Sequence, residues 1–157
     1  MEASRTVLTA QHVMQRTVYV LRPETQVLDA IDELVAQGFS GAPVVADGKL
    51  VGVFSERDAL AAISSAHYDG EPPGTVAQHM RRDFDVVAAT TDIYEVASVF
   101  QRQPIRRLPV VDHECRLLGI VSRGDVLSAL RRLYPHLPKT NYQRLQDHMA
   151  LRHGASF

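Results

Sequence analysis

The sequence predicts a mixed α/β fold of the α+β kind: two tandem β-α-β-β-α units packed sheet to sheet with pseudo-twofold symmetry, followed by a C-terminal helix. Three observations lead there. The chain repeats itself at a nearly constant offset, and each copy passes between strand and helix periodicity in the same order. A copy of about 60 residues is also too short to close a core alone.

The repeat is visible directly. Thr9 to Met14 (TAQHVM) returns 66 residues later as Thr75 to Met80 (TVAQHM). The same offset carries Val20 to Val86, Thr25 to Thr91, Val27 to Ile93, Leu34 to Phe100 and Pro43 to Pro109. One extra residue after Asp112 raises the offset to 67, so that Gly52 to Asp58 (GVFSERD) falls on Gly119 to Asp125 (GIVSRGD). The boundaries that follow are residues 1–66 for the first repeat, 67–134 for the linker and second repeat, and 135–157 for a helical extension.

Each element has its own signal. Thr17 to Leu21 alternates and is β-branched, which predicts a short strand. Thr25 is expected to cap a helix carrying Val27, Ala30, Ile31, Leu34 and Val35 at helical spacing, with Gly38 as its stop. Pro43-Val44-Val45 reads as a buried strand, Asp47-Gly48 as a hairpin turn and Leu50 to Phe54 as the returning strand. Ser55 opens a further helix through Ala59, Leu60 and Ile63. The second unit repeats this with strand 84–87, helix 92–102, strand 108–111, strand 117–121 and helix 124–133. Ser64 to Gly74 (SSAHYDGEPPG) carries the turn formers and prolines of an exposed crossover.

Composition excludes several classes. Lys and Arg number 17 against 18 Asp and Glu, a net charge of -1, so bulk charge draws the chain to no nucleic acid. No apolar run approaches the roughly 20 residues of a membrane span, and no signal peptide opens the chain, so no membrane partner and a cytoplasmic location are expected. The single cysteine, Cys115, leaves no disulfide or cysteine zinc cluster. None of the seven histidines shows the i, i+4 pairing of a helical metal site, so no metal is expected. No Ser-His-Asp order, P-loop or glycine-rich dinucleotide fingerprint is present, and no catalytic residue is assigned.

The recurring Ser-x-x-Asp carries the chemistry. In each unit it follows a buried strand and opens a helix, where free N–H groups and the positive dipole end suit a phosphate. An Asp in the first turn can accept from both hydroxyls of a ribose. The plainer reading is that Ser55 and Ser122 cap helices and that Asp58 and Asp125 favour the dipole. The two roles are not exclusive.

Taken together, Val13-Met14 and His79-Met80, the segments GFSGAPVV and PIRRLPVV, and the endings GVFSERD and GIVSRGD resemble the CBS domain. Two in tandem resemble a Bateman module, from about Thr9 to Leu133. The resemblance implies a stand-alone regulatory, non-catalytic module that binds adenine nucleotides (AMP, ADP or ATP) or related adenosyl ligands, with no obligatory cofactor. It implies clefts that draw on both repeats. One would hold Asp125, Ser122 and Arg123, with Arg106 or Arg107 before Leu108-Pro109, completed by Thr17, Val18 and Tyr19. The other would hold Asp58, Ser55, Arg57 and Gly41-Ala42-Pro43, completed by Asp83, Phe84 and Asp85. Arg106 and Arg107 read equally as a solvated loop pair. The Asp125 side, richer in arginine, is expected to be the better phosphate site. A homodimer through helices 29–37 and 95–102 and an unidentified protein target follow from the same resemblance. The rival reading is a structural dimerisation module without ligand. In the extension, Thr140 or Asn141 would cap a helix with Tyr142, Leu145 and Met149 on one stripe, packed on its own domain or on a second subunit.

Overall fold

The computed structural model describes residues 7–134, so the expected C-terminal helix lies outside the described residues. The chain divides into two compact units. The first runs through Val126 and holds every described strand, and the second starts at Leu127, within the last helix.

Both repeats open alike. α1 (Ala10–Val13) and α4 (Val76–His79) are single turns with Thr9 and Thr75 at the N-cap and Met14 and Met80 at the C-cap. The N–H of each threonine donates to a side chain three residues on, His12 Nδ1 at 3.1 Å and Gln78 Oε1 at 2.8 Å. α2 (Val27–Gln37) and α5 (Ile93–Arg102) come next, burying Val27, Ala30 and Leu34 from one and Ile93 and Val96 from the other. Helical spacing gathers these residues on one face. The N-cap of α2 is Gln26, not the expected Thr25, whose carbonyl instead accepts from the Val76 N–H at 2.8 Å. The matching Asp92 does cap α5, accepting from the Tyr94 N–H at 2.8 Å.

β1 (Gly41–Ala46) and β2 (Lys49–Ser55) form an antiparallel hairpin. Asp47 and Gly48 both take positive φ at its turn, +52° and +76°, the backbone that matches the twist of the flanking strands. β3 (Val87–Ala88) lies parallel to β4 (Arg107–Val111), which pairs antiparallel with β5 (Leu117–Ser122). The register irregularities at Val44/Val45 and Val110/Val111 are equivalent positions. The repeat therefore holds down to single backbone distortions.

The leading strands are shorter than the alternation predicts. Of Thr17 to Leu21 only Leu21 pairs, as a parallel bridge to Val44, and Phe84 to Val87 is replaced by Val87–Ala88. The cause is an exchange between repeats. Gln15 bonds both ways with Ile120 of β5, at 2.8 and 3.0 Å, and Arg81 does so with Val53 of β2, at 2.9 and 3.0 Å. Each leading segment starts on the other repeat's hairpin and then joins its own. Residues 16–20 and 82–86 span the gap and belong to neither sheet.

This exchange explains the glycines in GVFSERD and GIVSRGD. A Cβ on Gly119 would lie 2.7 Å from the Gln15 carbonyl oxygen and 2.8 Å from Met14 Sδ. On Gly52 it would lie 2.6 Å from Met80 Sδ and 3.1 Å from the Arg81 carbonyl oxygen. The motif pairs a bare strand position with the methionine that crosses over it.

α3 (Glu56–Asp69) runs past the expected start of the crossover at Ser64, because nothing in SSAHYD breaks a helix before Gly70 (φ +69°). Leu60 and Ile63 of α3 are exposed, and Ala59 and Ala62 are the residues buried. α6 (Arg123–Leu133) closes the second repeat. The core is apolar throughout: Phe54, Val44 and Leu21 from one hairpin region and Leu108, Val110 and Val121 from its copy are each at most 2 % exposed. Val76 and Met80 of the second repeat's opening turn pack into the first repeat's cluster.

Candidate functional site

The exchange opens a cleft of about 220 Å³ between the repeats. Its first wall is the crossing segment, Gln15, Thr17, Val18 and Tyr19. Phe39, Gly41 and Pro43 at the entry to β1 form the second wall, and Arg107, Ile120, Ser122 and Asp125 form the third. The Tyr19 and Phe39 rings lie 5.7 Å apart, tilted by 36°, and Arg107 reaches across from β4 to sit 5.4 Å above the Phe39 ring. One carboxylate, one guanidinium and an aromatic pair thus face one space.

Asp125 is held by its own turn. Its Oδ2 accepts from the Ser122 N–H at 2.8 Å, and its N–H donates to Ser122 Oγ at 3.1 Å. The same reciprocal pair occurs at Ser55 and Asp58, at 2.8 and 3.4 Å. Both Ser-x-x-Asp motifs are therefore helix-capping boxes, and the plainer reading holds for each. Capping leaves Asp125 Oδ1 with one weak contact, a 3.5 Å bond from Gln15 Nε2. Tyr19 Oη is buried and has no hydrogen-bond partner, which costs on the order of 1–3 kcal/mol unless something satisfies it.

The expected residues divide into several groups. Thr17, Val18, Tyr19, Arg107, Ser122 and Asp125 come together as expected for one cleft. Gly41 and Pro43, expected on the Asp58 side, line the Asp125 cleft, because the parallel bridge at Leu21 draws the start of β1 beside the crossing segment. Leu108, Pro109 and Ala42 are buried and outside its lining; Leu108, next to Arg107, and Ala42, between Gly41 and Pro43, face the other side of their strands. Arg106 is exposed and gives only its carbonyl, to the Arg123 N–H at 3.2 Å. Arg123 is also outside the lining, with Nε donating to the Ile105 carbonyl at 2.7 Å. One of the three arginines expected on this side lines the cleft. Asp83 and Asp85 are exposed and Phe84 half-buried in the other crossing segment, and Arg57 is exposed on α3. Asp58 lies 3.8 Å from Arg81 Nε.

Gln15, Phe39 and Ile120 were not expected. Phe39, between the helix stop and Ser40-Gly41, carried a local signal as an aromatic at a strand entry. Gln15 and Ile120 meet only through the exchange. Among the described residues, no group of three His, Cys, Asp or Glu side chains is placed to hold a metal, and no helix is long and apolar enough to cross a membrane.

Comparison with known proteins follows the same lines. The CBS domain model matches residues 10–65 and 76–132. The inosine-5'-monophosphate dehydrogenase of Thermoplasma acidophilum is 28% identical over 134 residues, 85% of this chain and 26% of that enzyme. The A-adding tRNA nucleotidyltransferase of Aquifex aeolicus is 29% identical over 125 residues, 79% of this chain and 14% of that enzyme. The chain thus spans about a quarter or less of these two relatives. Among solved structures, CBSX2 in complex with AMP is 32% identical, with a TM-score of 0.71, covering 80% of this chain and 97% of that one. AcuB of Vibrio cholerae is 27% identical, with a TM-score of 0.70, covering 81% and 93%. With both repeats matched, and with neighbours that share their tandem arrangement, this chain belongs to the CBS-domain family.

Proposed function

We propose that the Asp125 cleft binds an adenine nucleotide or related adenosyl ligand, with AMP, ADP and ATP as the first candidates, and that the module is regulatory rather than catalytic. One observation carries this reading: a capped carboxylate with a nearly free oxygen, an aromatic wall and an arginine converge on one cleft. Asp125 Oδ1 would accept from the ribose diol. Tyr19, Val18 and Ile120 would cover the base, and Arg107 would meet the phosphate as its charge-assisted donor. The AMP complex of CBSX2 supports the ligand class.

Ligand binding would regulate a protein target through a homodimer. Leu28 and Val35 of α2 are 54 % and 75 % exposed and Tyr94 of α5 is 52 % exposed, apolar surface on the two helices expected to pair. A dimer mass by light scattering at micromolar concentration supports the pairing, and a monomer refutes it. The binding test is thermal: AMP, ADP, ATP and S-adenosylmethionine are each added in turn, and at least one should raise the melting temperature. A panel that shifts nothing refutes ligand binding and leaves the structural dimerisation module.

A further inference from the structure

We infer that Arg81 reserves Asp58 as a clasp between the repeats, so that the chain takes one nucleoside at Asp125 and none at Asp58. This rests on the nucleotide reading of the Asp125 cleft.

Gln15 and Arg81 are equivalent residues, 66 positions apart, and each is fixed by paired backbone bonds to the opposite hairpin. Their side chains consequently stand over equivalent carboxylates. Neutral Gln15 reaches Asp125 Oδ1 at 3.5 Å, whereas the Arg81 guanidinium reaches Asp58 Oδ2 at 3.8 Å. The serines differ as well. The Ser55 hydroxyl donates to Asp58 Oδ2 at 2.8 Å, and the Ser55 N–H donates to the same oxygen at 2.8 Å. Ser122 Oγ accepts from the Asp125 N–H and donates to no protein group among the described residues.

Asp58 Oδ2 therefore faces an N–H, an O–H and a guanidinium, and its side chain is 13 % exposed. A ribose diol offers two O–H donors, which a carboxylate meets best with both oxygens; Asp58 has Oδ2 taken up by Ser55 and faced by the Arg81 guanidinium, which leaves Oδ1 alone for a ligand. Asp125 retains more acceptor capacity, and Ser122 retains a donor. The residues matching Thr17 and Tyr19 on the Asp58 side are Asp83 and Asp85, which add negative charge and further disfavour a phosphate there. One arginine-for-glutamine difference thus separates a ligand carboxylate from a structural one.

The test is calorimetric titration with adenosine, which carries the diol and avoids phosphate repulsion by Asp83 and Asp85. Wild type should bind one adenosine per chain. Arg81→Gln, which copies the first repeat, should bind two, and Gln15→Arg should weaken the single site about tenfold or more. Two sites in wild type, or one site in a folded Arg81→Gln, overturn the inference and leave the nucleotide reading intact. If Arg81→Gln fails to fold, undiminished affinity in Gln15→Arg overturns the inference by itself. No adenosine binding in any of the three proteins overturns both.

Discussion

The two Ser-x-x-Asp turns share sequence spacing, capping geometry and place in the fold, yet their carboxylates are committed differently. Asp58 is bound on one oxygen by Ser55 and faced by Arg81, while Asp125 meets, among the described residues, Ser122 and a distant Gln15 amide. The difference teaches that a duplicated motif preserves its local hydrogen bonds without preserving its chemistry. What decides the chemistry is the residue brought from the other repeat.

The largest expected effect concerns the crossing that brings it there. Gly119→Ala should cost about 3 kcal/mol, the upper end for overpacking, because its Cβ meets backbone, the Gln15 carbonyl at 2.7 Å. Gly52→Ala should cost less, since its nearest neighbour is the Met80 side chain. Denaturant melts of both variants measure the difference. Equal costs would show that the two crossings are equally rigid.

Next, Asp125→Ala should weaken AMP binding by about 2 kcal/mol through the lost ribose hydrogen bonds, read by calorimetry. Asp58→Ala should leave AMP affinity unchanged and lower stability by about 1 kcal/mol through the hydrogen bonds that its carboxylate accepts from Ser55 in the capping box. The reverse pattern would exchange the roles of the turns.

Much of this comparison was legible beforehand, and the remainder was hidden for a physical reason. The repeat offset placed both hairpins, both capping boxes and both helices, since these are local patterns set by periodicity and turn chemistry. The contacts that set the two turns apart are not local. Gln15 meets Asp125 110 residues away, and neither residue carries a mark of the other in its surroundings. The alternation in Thr17 to Leu21 suggested a strand for the same reason: a segment crossing between sheets has the composition of one while pairing at a single residue. Arg106 and Arg123 looked equivalent to Arg107, but only the strand register shows which of the three lines the cleft.

Smaller effects sharpen the picture. Arg107→Ala should weaken AMP by about 1.5 kcal/mol, the low end for a charged hydrogen bond because the residue is exposed. It should affect adenosine less, and equal losses for the two ligands would remove its phosphate role. The smallest effect lies at the second hairpin turn. There the Arg116 backbone N–H, followed by that of Glu114, holds the Asp112 carboxyl below its ordinary value of 3.8, partly opposed by desolvation. Its contribution is present above that value and is lost as pH falls through the lowered one. Asp112→Asn should therefore flatten the acid limb of the stability curve, and an unchanged limb would contradict the assignment.

The most direct measurement is a crystal structure of the chain with AMP. The account predicts one nucleotide per chain, with its ribose hydroxyls on Asp125, its base against Tyr19 and its phosphate toward Arg107. A nucleotide seated on Asp58 with Arg81 displaced, or one bound away from both turns, would contradict it.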